Sequence, residues 1–71
     1  MDDEDEIFEH EGYPIHVGAS SSRAGHLWWY QIHGIFQECR DRALPTRQAA
    51  LKEGVEEAKR HAERLTTGGA A

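Results

Sequence analysis

His26-Leu27-Trp28-Trp29-Tyr30-Gln31-Ile32-His33-Gly34-Ile35-Phe36-Gln37-Glu38-Cys39-Arg40 decides the reading of this chain. Two runs rich in aromatic and β-branched residues flank one X-Gly pair, the sequence signal of a tight hairpin. With His33 and Gly34 as the two loop residues, Ile32 stands opposite Ile35, Tyr30 opposite Gln37 and Trp28 opposite Cys39. Residues paired in this way point to the same side of a sheet. One side then carries Trp28, Tyr30, Ile32, Ile35 and Cys39, and the other Leu27, Trp29, Gln31, Phe36 and Glu38. The first set is the more apolar and is assigned to the core. A slip of one residue would exchange the two sides.

Upstream, Tyr13-Pro14-Ile15-His16-Val17-Gly18-Ala19 alternates apolar with small or polar residues, the period of a half-buried strand. Ser20 to Gly25 reads as a connector by composition. Ile7-Phe8 is a further short strand candidate, turning back at Glu11-Gly12, but it lies within an acidic run. Downstream, Leu44-Pro45-Thr46 leads into a helix with Thr46 as N-cap. Leu51, Val55, Ala58, Ala62 and Leu65 recur at steps of four, three, four and three, which is one helical face. Ala50 and Gly54 flank that face and permit a close approach to the sheet. Glu56 and Arg60 are spaced for an i, i+4 ion pair. Thr67-Gly68-Gly69 supplies a stop. The expected fold is α+β: a three-stranded antiparallel sheet packed on one C-terminal helix, in the order β-β-β-α. The expected organisation is an acidic, disordered tail over residues 1–11, the domain over 12–66, and a frayed end over 67–71.

Charge is unevenly distributed. Residues 1–11 hold seven acids and no Lys or Arg, whereas the remaining 60 hold six acids and eight Lys or Arg, a net of +2. Like-charge runs are usually solvated, so the acidic segment reads as a solubilising tail, or as one that folds back over a basic patch. The chain has 71 residues and one cysteine, Cys39, which excludes an internal disulfide. No apolar run approaches the roughly 20 residues of a membrane span. The first residues, Met1-Asp2-Asp3-Glu4-Asp5-Glu6, are the opposite of a basic signal-peptide start. A cytoplasmic location without membrane association is therefore expected.

The residues nominate no reaction. Cys39 falls on the core side, where cysteine behaves as a small apolar group, and Ser20 to Ser22 lack an evident base and orienting partner. The five histidines lack the paired spacing of a zinc site, and no phosphate-binding glycine loop is present. The chain is expected to be non-enzymatic, with no cofactor and no metal. One helix covers one side of a sheet, so the other side should stay open, with His16, Trp29, Gln31 and Phe36 forming a binding surface for an unknown protein or for a second copy. The alternative is a small nucleic-acid-binding regulator with an acidic tail, using Arg23, Arg40 and Arg42. A body of only +2 offers little charge for phosphate contacts.

From Gly12 to Leu65 the chain resembles short, uncharacterised bacterial proteins. The residues that carry the likeness are Gly12-Tyr13-Pro14-Ile15-His16-Val17, Trp28-Trp29-Tyr30-Gln31-Ile32, Gly34, and Pro45-Thr46 before the helix. The resemblance implies β-β-β-α and carries no activity. More loosely, the arrangement is similar to AP2-type and integrase arm-binding domains. Those look basic on the open sheet face, where this chain has Trp29, Gln31, Phe36 and Glu38.

Overall fold

A computed structural model describes residues 5–39 and 42–70. Four strands, β1 (Glu6–His10), β2 (Tyr13–Ser22), β3 (Gly25–Ile32) and β4 (Ile35–Glu38), precede one helix, α1 (Arg47–Ala70). The strands form one antiparallel meander in the order β1-β2-β3-β4. The fold is α+β with a single C-terminal helix, as expected, but the sheet has four strands and not three. The extra strand comes from the segment read as an acidic tail. Glu6 pairs with Val17, Phe8 with Ile15 and His10 with Tyr13. Its acids masked an alternation in which Phe8 turns inward against the core. Residues 1–4 lie outside the described residues.

Two turns set the register. Glu11 and Gly12 have φ of 55° and 83°, and His33 and Gly34 have φ of 50° and 79°. Positive φ at both central residues is the turn whose twist matches that of the flanking strands. Glycine adopts this conformation without the steric cost that a Cβ brings. The second turn places Ile32 opposite Ile35 and Tyr30 opposite Gln37, the register read from the sequence. The serine stretch is not a connector: Ser20, Ser21 and Ser22 pair with Leu27, His26 and Gly25, leaving Arg23-Ala24 as the turn. Beyond β4, Leu44 bridges to His26 through two backbone hydrogen bonds of 2.9 and 2.8 Å, closing the end of the β3 edge.

The helix lies on one side of the sheet. Thr46 Oγ1 accepts from the Ala49 N–H at 3.0 Å, so the expected N-cap is in place. The helix continues to Ala70, past the expected stop at Thr67-Gly68-Gly69. Its seam against the sheet is narrower than the predicted apolar face. Ala50, Gly54, Ala58 and Ala62 are all buried at a spacing of four, with Leu51 beside them and Val55 and Leu65 only half-buried. Opposite lie Ile15, Val17, Tyr30 and Ile32. A Cβ on Gly54 would sit 2.8 Å from Val17 Cγ1 and 2.9 Å from Trp28 Cβ. The helix and strands approach too closely for a side chain there. The expected Glu56–Arg60 pair is replaced by Glu57–Arg60 at 2.6 Å. Among the described residues, no helix is long and apolar enough to cross a membrane.

Gly54→Ala separates local helix preference from packing. At an unconstrained helical position the change stabilises by about 1 kcal/mol. Here overpacking against Trp28 Cβ should reverse the sign and cost about 1–3 kcal/mol in urea unfolding. A more stable variant would contradict the close seam.

Candidate functional site

The face away from the helix is built by alternation. Because Ile15, Val17, Tyr30 and Ile32 point inward, their neighbours His16, Gly18, Gln31 and Trp29 point outward. The register aligns Ile7, His16, Gln31 and Phe36 in one row across all four strands. Gly18, Trp29 and Glu38 form the next row. All four sequence-predicted binding residues, His16, Trp29, Gln31 and Phe36, therefore share this face. Phe36 is 56% exposed, whereas Trp29 is half-buried.

The aromatic rings form a connected strip. Trp29 and Phe36 stack with centroids 5.9 Å apart at 26°, and His16 tilts against Trp29 at 5.0 Å and 59°. Gly18 makes room for the indole. A Cβ there would lie 2.2 Å from Trp29 Cζ2, so the ring occupies the space over the glycine. Ile7, 75% exposed, ends the row on β1. Beside Ile7 lies a shallow, open depression of about 300 Å³, lined also by Pro14, His16, Gln31 and His33 among others. Ile7 and Gly18 were missed as site residues. A glycine inside a strand signals close approach of another group, so Gly18 was legible. Ile7 was hidden by the acids around it.

Asp5 anchors one corner. Its Oδ2 is 2.9 Å from His16 Nε2, and its Oδ1 accepts from Arg47 at 3.2 Å. Arg47 also donates to the Ala19 carbonyl at 2.7 Å, where β2 runs on beyond β1. Asp5, the first described residue of the acidic segment, thus contacts one basic side chain, Arg47.

Of the residues of the nucleic-acid alternative, the two described, Arg23 and Arg42, do not lie on this face. Arg23 is exposed in the β2–β3 turn. Arg42 binds Glu53 at 2.6 Å, and the same carboxylate accepts from the Trp28 indole N–H at 2.9 Å. Arg40 lies outside the described residues, as does Asp41.

Two further polar groupings join the helix to the sheet. Tyr30 and His61 meet at 2.7 Å between the hydroxyl and Nδ1, with the rings edge to face. Burial pushes the Tyr30 hydroxyl above its ordinary range, and burial together with Arg64 holds His61 below its own. Which of the two donates is set by the imidazole nitrogen that carries the proton. His10, Glu11 and Glu63 place possible metal-donor atoms within 4.8 Å of one another, and this is where an ion could be held among the described residues. Glu11 and Glu63 are exposed, and the His10–Glu63 contact of 2.9 Å already ties β1 to α1. Cys39 is buried, as expected, with its thiol donating to the Arg42 carbonyl at 3.2 Å.

His61 gives a pH signature. Its folded pKa lies below the ordinary 6.5, so the unfolded chain binds the extra proton first. The stability it contributes is present above about pH 6.5 and declines as the pH falls towards the lowered folded value. His61→Gln keeps an acceptor for Tyr30 and should flatten this part of the profile in urea titrations. Equal pH slopes for both proteins would contradict the assignment.

The chain matches none of the protein-family models, curated proteins or solved structures with which it was compared, and nothing there bears on either likeness drawn from the sequence.

Proposed function

We propose that the chain is a non-catalytic interaction module that docks a partner protein through the open sheet face. The observation that carries this reading is the pairing of exposure with order. Among the described residues, Ile7 and Phe36 are the two large apolar side chains left exposed, and both lie on the face opposite the helix, in the row next to that of Trp29. Contiguous apolar surface rimmed by polar groups marks interaction sites. Aromatic anchors held by their neighbours lose little freedom on binding and commonly dominate interface energetics. Gly18 beneath the indole and the rings on either side hold Trp29 in this way.

Self-association is one version of this reading, since symmetric homodimers are common. The nucleic-acid reading has less support. None of the outward strand positions is Lys or Arg, and Arg42 is engaged by Glu53.

The test uses the full chain and the double variant Ile7→Ser, Phe36→Ser, whose altered side chains are exposed and whose fold is checked by circular dichroism. Ligands selected on the wild type from a random displayed-peptide library should lose roughly ten-fold or more in affinity for the variant. Unchanged affinity would place the binding surface elsewhere. Light scattering on both proteins tests the self-association version: a dimer that dissociates in the double variant supports it, and a monomeric wild type overturns it.

A further inference from the structure

The end of β1, the turn after it and the second half of α1 bring together three groups able to ligate a metal: His10, Glu11 and Glu63. His10 and Glu63 are 53 residues apart, so no ligand spacing in the sequence reveals the set. Alternation along β1 turns Ile7 and Glu9 outward and Phe8 and His10 towards the helix. α1 runs beside this strand. Lys59 Nζ stands 6.0 Å from the centre of the Phe8 ring, and one helical turn later Glu63 meets His10. Two strand residues span about 6.7 Å and four helical residues about 6 Å. The two elements therefore keep step, which fixes Glu63 opposite His10. Glu11 occupies the first central position of the β1–β2 turn, at φ 55°, where Asn, Asp or Gly is usual.

The separations suit a single ion. The three donor atoms lie within 4.8 Å of one another, and His10 Nε2 is 2.9 Å from Glu63 Oε2. Two ligands of a tetrahedral zinc ion, each about 2.1 Å from the metal, stand about 3.4 Å apart. The imidazole and one carboxylate are thus already near ligand spacing, and the exposed Glu11 side chain can rotate to close the third side. An ordinary ion pair needs only His10 and Glu63. The second carboxylate adds like charge beside the first, which a divalent cation offsets.

The donor set also selects among ions. An imidazole nitrogen with carboxylates suits Zn²⁺ and its first-row neighbours, whereas Mg²⁺ and Ca²⁺ prefer oxygen alone. We infer that His10, Glu11 and Glu63 form a site for a divalent transition-metal ion of the zinc type, which ties the β1–β2 hairpin to α1. The ion takes the place of the proton between His10 Nε2 and the Glu63 carboxylate, and the neutral ring keeps its proton on Nδ1. Three protein groups leave a tetrahedral ion one position for water. The site lies on the helix side of the sheet, so it stands independently of the open-face reading.

The test adds zinc chloride to the full chain in chelator-free buffer, followed by calorimetry and by the ring-nitrogen NMR signals of the histidines. One Zn²⁺ should bind per chain, magnesium chloride should give no binding heat, and the His10 ring should respond ahead of the other histidines. Glu11→Gln and Glu63→Gln, with their folds checked by circular dichroism, should each weaken zinc binding about ten-fold or more. The melting temperature of the wild type should rise with zinc concentration. Absence of one-to-one binding, a response spread over His16, His33 and the other rings, or unchanged affinity in Glu11→Gln would each overturn the inference.

Discussion

The structure depends on how closely α1 lies on β2 and β3. Ala50, Gly54, Ala58 and Ala62 present almost no side chain along one helical line. Val17 and Trp28 fill the space that a Cβ on Gly54 would need. A chain of 71 residues has little apolar area to bury. Close contact compensates, because dispersion falls off steeply with even a small gap. Larger residues follow on the flanks, with Leu51 buried and Val55 and Leu65 half-buried. Polar links then fasten the periphery: Trp28 and Arg42 to Glu53, Tyr30 to His61, and His10 to Glu63.

That seam consumes one side of the sheet, and alternation along the strands assigns everything else to the other. The adjacent tryptophans illustrate the division. Trp28 faces the helix and donates to Glu53, whereas Trp29 faces outward, stacks on Phe36 and covers Gly18. The two glycines have parallel roles on the two sides. Gly54 admits the sheet to the helix, and Gly18 admits an indole to the sheet. The surface proposed for binding is thus a direct consequence of the packing that leaves one layer uncovered.

Much of this was legible before any coordinates. The His33-Gly34 turn specified a register, and the register sorted Trp28 from Trp29 without reference to the helix. Thr46 announced the helix start. The fourth strand was legible only in part: Ile7-Phe8 and a turn at Glu11-Gly12 stood as a candidate, but Glu6, Glu9 and Glu11 made the segment look like a solvated run. Its pairing depends on β2, which local composition does not encode. The helical face was read from Leu51, Val55, Ala58, Ala62 and Leu65 with Ala50 and Gly54 on its flank, whereas its closest line of contact runs through Ala50, Gly54, Ala58 and Ala62 and leaves Val55 and Leu65 half-buried. Size at an interface is decided by both partners. The outward row was recovered at His16, Gln31 and Phe36 but not at Ile7, because the acids around it made the segment read as a tail. Arg42 could not be placed from sequence, since its partner Glu53 lies eleven residues away and across a loop.

The central claim is that one sheet face is sealed by the helix and the other is open. Solvent paramagnetic relaxation, with a soluble gadolinium chelate added to the isotope-labelled chain, reads this directly side chain by side chain. The account predicts strong relaxation at Ile7 and Phe36, intermediate relaxation at Trp29, and protection at Ile15, Val17 and Ile32. Protection of Ile7 and Phe36 to the same degree as Ile15 and Val17 in the monomeric chain would contradict it.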